Sequence, residues 1–235
     1  MKRFWSTVET ESDAEGWRIL LDGKPLRVPG GAPLRLDSPA LAQAVADEWR
    51  QAGGEPGGEA GPADLPLTSL ANTAQERVAP QREAMALELA RYGETDLLCY
   101  RATAPQALVE REHAEWQPWL DWAAETFGAR LRATSGIVHV PQDPEALAVI
   151  AAAMAREDVP ALTALGVLVP ALGSVVLGLA VTAGALDPAP AHRLSILDEL
   201  YQAEFWQADA EALERRRLFG RDIDVAGRFL RLSRA

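Results

Sequence analysis

Asp198, Tyr201, Gln202 and Phe205 recur at i, i+3, i+4 and i+7. On a helix that spacing sets a carboxylate, a phenol, an amide and a ring on one stripe. The stripe fits a surface that recognises another protein, and it fits equally a packed helix whose aspartate accepts structural hydrogen bonds. Asp198 and Glu199 are adjacent, and adjacent helical residues point about 100° apart, a poor geometry for a general acid–base pair. The enzymatic alternative is a small cofactor-free hydrolase using Asp198 or Glu199 with Tyr201, which lacks a nucleophile, a metal site and a cofactor motif. His113-Ala114-Glu115 supplies the His-x-Glu half of a zinc deaminase signature, but the Pro-Cys-x-x-Cys half is missing. The lone Cys99, in Leu97-Leu98-Cys99-Tyr100, reads as a small core residue rather than a nucleophile. Gly-rich phosphate loops, G-x-S-x-G and H-E-x-x-H are absent. No catalytic residue, metal, cofactor or small-molecule substrate is therefore expected.

Tryptophan is the other conspicuous residue type. Trp116, Trp119 and Trp122 recur every three residues, so successive rings drift by about 60° around a helix. All three cannot be buried in a two-layer domain. At least one is expected at a partner or interdomain face, unless the helix is enclosed on most sides.

Elements able to carry these residues are readable along the chain. Aromatic and β-branched residues at 4–10 and 17–21, the turn Asp22-Gly23, and short apolar runs at 25–28 and 34–36 predict a small antiparallel sheet or open barrel. A helix follows, capped by Asp37 or Ser38, with Leu41, Val45 and Trp49 on one face. The Gly- and Pro-rich stretch 53–62 reads as a flexible loop. Helices are predicted over 69–78, 80–92, 105–127, 144–156, 159–169, 171–183, 190–207 and 209–219, and an extended segment over 130–140. In 105–127 the expected apolar stripe is Val109, Trp116, Leu120, Ala123 and Phe127. The expected architecture is α+β: a small N-terminal antiparallel β domain with one helix, 1–66, then a larger all-helical C-terminal domain, 67–235.

Composition bounds the function classes. The 235 residues carry 23 Lys and Arg against 34 Asp and Glu, a net charge of −11. An acidic surface repels phosphate backbones, so a general nucleic-acid binder is excluded. Lys2 and Arg3 precede any apolar stretch, so no signal peptide is expected, and a lone thiol suits a reducing cytoplasm. Residues 159–186 carry no charge. As one helix they would reach about 42 Å, long enough for a bilayer, which motivates a membrane-associated subunit as a further alternative. Pro160, Pro170 and four glycines argue instead for two short buried helices.

Several stretches in order resemble one family. They are Arg3-Phe4-Trp5, Leu20-Leu21-Asp22-Gly23-Lys24-Pro25-Leu26, Ala46-Asp47-Glu48-Trp49 and Leu67-Thr68-Ser69-Leu70-Ala71-Asn72-Thr73. Thr95-Asp96-Leu97-Leu98-Cys99-Tyr100-Arg101, Glu115-Trp116-Gln117-Pro118-Trp119-Leu120-Asp121-Trp122-Ala123 and Leu197-Asp198-Glu199-Leu200-Tyr201-Gln202 follow. Together they resemble the assembly chaperones of the F-type ATP synthase, the branch that holds the unassembled alpha subunit of the catalytic sector. The resemblance implies a cofactor-free, non-enzymatic protein whose partner is that alpha subunit, acting in the bacterial cytoplasm or, for organelle relatives, the mitochondrial matrix. It implies that 159–186 is helical core and not inserted in a membrane. It also implies a functionally important acid at Asp198, where relatives more often have Glu, and a sensitive tryptophan at Trp49 beside Glu48. Asp198, Tyr201, Gln202 and Phe205 are then the expected partner-binding residues. Glu48, Trp49, Trp116 and Trp119 are expected to be structural or partner-binding. Relatives usually end the Tyr-Gln stretch in Trp-Gly, where this chain has Trp206-Gln207.

Overall fold

A computed structural model describes residues 1–55, 57–206 and 209–235. Pro56, in the predicted loop 53–62, and Gln207, at the end of the predicted helix 190–207, lie outside the described residues. The architecture is α+β, and the Cα positions cluster into two compact units, 1–81 with 228–235, and 82–227.

In the first unit β1 (Val8–Asp13), β2 (Gly16–Leu21) and β3 (Lys24–Pro25) form an antiparallel sheet in the order β1-β2-β3. Asp22 and Gly23 turn β2 into β3 with φ of 48° and 76°, the positive pair that a two-residue hairpin of matching twist requires. The helix α1 (Pro39–Gln51) starts where Ser38 Oγ accepts the N–H groups of Ala40 and Leu41, with Pro39 in the first turn. Trp5 and Trp49 pack edge to face at 4.8 Å, and the Trp5 indole N–H donates to Trp49 O. The helix α2 (Pro66–Thr73) is tied to α1 by Glu48, whose carboxylate accepts from Leu67 N, Thr68 N and Thr68 Oγ1. Ser38 Oγ also donates to Leu232 O at the chain's end. These bonds explain why residues 67–81 and 228–235 cluster with the sheet, whereas the sequence suggested a division after residue 66. Gly54, in the stretch expected to be a flexible loop, is held: the Arg3 guanidinium donates to its carbonyl and to those of Arg50 and Ala52 just before it.

The second unit contains α3 (Arg82–Ala90), the short strand β4 (Tyr100–Arg101), α4 (Gln106–Phe127), β5 (Thr134–Ser135), α5 (Pro144–Arg156), α6 (Val159–Leu172), α7 (Val175–Thr182), α8 (Pro188–Ser195) and α9 (Leu197–Ala203). The helix α10 (Ala210–Ser233) begins here, and its residues from Arg228 belong to the first unit. Among the described residues the unit's regular structure is helical apart from the parallel pair β4-β5, and β5 is all that forms a strand in the predicted extended segment 130–140. The uncharged run 159–186 is two buried helices. Gly173, at φ 63°, ends α6, and Ser174 Oγ caps α7 by accepting Leu177 N. Gly178 lets the two helices close up, because a Cβ there would stand 2.8 Å from Val169 Cγ2. No helix among the described residues is long and apolar enough to cross a membrane, which removes the observation behind the membrane-associated alternative.

Beneath this turn lies Asp96, fully buried. Its carboxylate accepts from Leu98 N, Ser174 Oγ and Val176 N, joining a 3₁₀ turn at 97–99 to the start of α7. Burial pushes this carboxyl up to about 6 despite those donors.

Two helix predictions need correction. The predicted helix 190–207 is broken at Ile196, because Ser195 Oγ takes the His192 carbonyl and competes with the helical ladder. The predicted helix 209–219 continues to Ser233. It runs through Gly220 and Gly227, which both serve close packing: a Cβ on Gly220 would stand 2.9 Å from His192 Nδ1, and one on Gly227 would overlap Pro188 Cγ.

Candidate functional site

The break at Ile196 puts Asp198 in the first turn of α9, where the exposed peptide N–H groups favour an acid. Asp198 is half-buried, and its Oδ1 is sealed from water with no hydrogen-bond donor. Opposite it stands Glu112 on α4. The stripe that α4 buries is Leu108, Glu112, Trp116, Leu120 and Ala123. The predicted stripe had Val109 in place of Leu108, omitted Glu112, and ended on Phe127, which is only half-buried.

Glu112 is fully buried. Its Oε2 accepts Ala102 N at 2.7 Å, while its Oε1 also lacks a donor. Each of the two acids, one on α4 and one on α9, thus keeps a buried oxygen without a donor, and the two carboxyls interact. Burial first, then the hydrogen bond and charge of Asp198, push the Glu112 carboxyl up to about 7, and the Ala102 N–H and, less, the Arg101 guanidinium only partly offset this. Arg101 is itself anchored: it donates to the Glu112 carbonyl at 2.6 Å and lies over the Trp116 ring at 5.4 Å. Trp116 is fully buried, and its indole N–H donates to Leu194 O at 3.0 Å.

The rest of the predicted stripe surrounds this pair. Tyr201 is buried, with Arg111 over its ring at 5.2 Å, and Arg111 in turn grips Glu204. Gln202 is exposed. Phe205 is 67% exposed but lies beyond the end of α9, so it reaches Tyr201, at 5.2 Å, from the following turn rather than from the helix face. Trp119 is half-buried against Trp122 at 6.3 Å, as the drift of the three tryptophans required. Glu199 is engaged elsewhere, by Arg216 at 2.6 Å. The structure therefore separates Asp198 from Glu199, the two acids of the hydrolase alternative, and pairs Asp198 with an acid that sequence reasoning missed. The available signal was a glutamate four residues before Trp116 within an otherwise apolar stripe.

Glu48 and Trp49 lie in the first unit. Trp49 is buried, with its N–H on Thr68 Oγ1 at 3.1 Å. Large apolar side chains are left in water further along the chain from α9: Phe205, Trp206 (76% exposed), Leu213, Leu218 and Phe219. Elsewhere a cleft of about 700 Å³ is lined by Leu87, Ala90, Leu147 and Ala151 of the second unit. Another of about 420 Å³ is lined by Leu26, Trp49, Leu65 and Asn72 of the first. Neither Glu112 nor Asp198 lines these clefts. No group of three or more His, Cys, Asp or Glu able to hold a metal occurs among the described residues.

Comparison with known proteins identifies the relatives. The family model of ATP12 chaperone proteins matches residues 2–124. The crystal structure of Atp12 from Paracoccus denitrificans is 45% identical, with a TM-score of 0.92 over 99% of this chain and 98% of that one. An aspartate-to-lysine mutant of the Paracoccus protein matches with the same identity and score, covering 99% and 97%. A protein from Agrobacterium tumefaciens described as a candidate chaperone is 39% identical, with a TM-score of 0.90 over 98% and 85%. The chain belongs to the ATP12 chaperone family, the ATP synthase assembly chaperones that its sequence resembles.

Proposed function

We propose that the protein binds the unassembled alpha subunit of the F-type ATP synthase and keeps it from aggregating until the beta subunit takes its place. The observation that carries this reading is the run of exposed apolar side chains Phe205, Trp206, Leu213, Leu218 and Phe219 in the chain after the Asp198–Gln202 stretch. An alpha subunit without its partner exposes an apolar assembly surface, and such surfaces aggregate. A holder that covers this surface needs affinity and release, not catalysis. The sequence has no phosphate-binding loop to drive release with ATP, so binding by mass action and displacement by the true partner are sufficient. The holder acts where the subunits are made, in the bacterial cytoplasm. Family membership and the ordered sequence resemblance support the choice of alpha over beta.

The test is co-purification with alpha and beta subunits offered separately, followed by size exclusion. Alpha is expected to co-elute with the protein and beta to elute alone. Retention of beta, or of neither subunit, refutes the assignment. A Trp206→Glu variant should lose alpha while keeping its thermal transition, because that ring is exposed.

A further inference from the structure

Two buried carboxyl oxygens without donors, Glu112 Oε1 and Asp198 Oδ1, belong to groups that interact directly, from helices far apart in sequence. Two ionised carboxylates cannot share such a place, because neither has a proton to give and their charges repel at low dielectric. One proton held between them satisfies both oxygens and leaves one negative charge. Glu112 is the better holder. Its other oxygen accepts the Ala102 N–H and it is fully buried, whereas Asp198 is only half-buried. Asp198 is thereby not a free surface charge. It is the link through which α4 fixes the start of α9, and the Tyr201 ring, the Arg111–Glu204 pair and Phe205 follow from that placement.

We propose that Glu112 is a positioning residue for client binding: a single proton shared between Glu112 and Asp198 latches α9 onto α4, and losing it at alkaline pH loosens the face that holds the client. This rests on the proposed binding of the alpha subunit. The charged groups set around the latch are Arg101 from β4, Arg111 on α4 with Glu204, and Glu115 on α4 paired with Arg193 of α8 at 2.6 Å. Beyond α9, Glu199 holds Arg216 of α10. The His192 imidazole is kept below its ordinary range chiefly by burial, and burial pushes the Cys99 thiol up to about 12, so neither changes charge just above neutral pH.

The experiment uses the full chain and purified alpha subunit, with binding measured from pH 6 to pH 9 for wild type, Glu112→Gln and Asp198→Asn. If only the latched form binds, wild-type affinity falls by up to about tenfold per pH unit above neutrality. Glu112→Gln should give a flat profile, because its amide still accepts Ala102 N–H through oxygen and donates permanently to Asp198. Asp198→Asn, with the amide on the other helix, should also flatten the profile whatever its affinity. A flat wild-type profile, or a Glu112→Gln profile that tracks wild type, overturns the proposal. Carboxyl-carbon NMR of the free chain is the second readout. The two groups should titrate together in two well-separated steps, and independent titration of both in the ordinary carboxylate range also overturns the latch. Failure of the alpha subunit to bind at any pH would refute the proposed function instead, and the NMR result would still decide the latch.

Discussion

Replacing Asp96 with asparagine tests how this fold balances burial against hydrogen bonding. The carboxylate accepts Leu98 N at 3.0 Å, Ser174 Oγ at 2.9 Å and Val176 N at 3.1 Å, with no exposure to water. Those donors favour the charged form, and desolvation opposes it by more, raising the carboxyl from 3.8 to about 6. A raised carboxyl means that the folded chain binds the proton more tightly than the unfolded one. Stability is therefore highest below the unfolded value and falls as pH rises through the folded one, by about 3 kcal/mol in all. Asparagine is nearly isosteric but cannot titrate, and its amide nitrogen confronts at least one N–H donor, at a cost of about 1–3 kcal/mol at any pH. The difference in stability between wild type and Asp96→Asn should therefore shrink by about 2 kcal/mol from pH 4 to pH 7, because part of the total is already lost at pH 4. Other carboxylates titrate identically in both proteins and cancel. Urea unfolding at the two pH values measures this directly. A difference that stays constant, or grows with pH, would mean that the donors outweigh burial and would refute the reasoning.

Trp49→Arg should act through stability. It removes a buried ring that packs on Trp5 and bonds Thr68, and leaves an unpaired cation there, so a loss of about 3–5 kcal/mol is expected. An unchanged melting temperature by circular dichroism would contradict this. Gly227→Ala should lose about 1–3 kcal/mol, because its methyl would meet Pro188, and an equally stable variant would show that α10 and Pro188 separate easily. Asp198→Lys should keep the fold, since an ammonium can pair with Glu112, yet weaken alpha-subunit binding by more than about tenfold, or about 1.4 kcal/mol. Normal binding by a folded variant in a size-exclusion mixture would remove Asp198 from the binding face.

What the sequence made legible was local. The Asp22-Gly23 hairpin, the Ser38 cap and the limits of α4 and α5 depend on neighbours within one turn. The division of 159–186 into two helices was also readable, although the break falls at Gly173 and not at Pro170, which lies inside α6. What escaped depends on partners far along the chain. The continuation of α10 past residue 219 goes with Gly220 and Gly227 packing on His192 and Pro188, which are distant in sequence. Ile196 interrupts a helix because of one serine hydroxyl. Glu112 resembles a surface residue of an amphipathic helix, and only the fold seals it against Asp198. The stripe of Asp198, Tyr201, Gln202 and Phe205 was therefore a real neighbourhood with an incorrect geometry: Tyr201 is buried, Gln202 is exposed, and Phe205 joins from the next turn.

That geometry changes what the net charge contributes. A holder with exposed aromatic and aliphatic side chains risks binding its own copies as readily as its client. The whole chain carries −11, so two copies repel at long range. The stretch 205–221, which bears the exposed Phe205, Trp206, Leu213, Leu218 and Phe219, has Asp209, Glu211 and Glu214 against Arg215, Arg216, Arg217 and Arg221. Its side chains sum to +1 in a protein of −11, and Glu199 and Glu214 hold Arg216 and Arg217 in place on it. Repulsion is thus spread over the molecule while the apolar segment is spared it. A client whose exposed surface is apolar and carries acids meets no barrier there, which separates capture of the client from self-association by charge alone. Salt should then act in opposite senses, with raised ionic strength weakening capture and promoting self-association, and light scattering of the free protein against client binding at the same salt would reveal both.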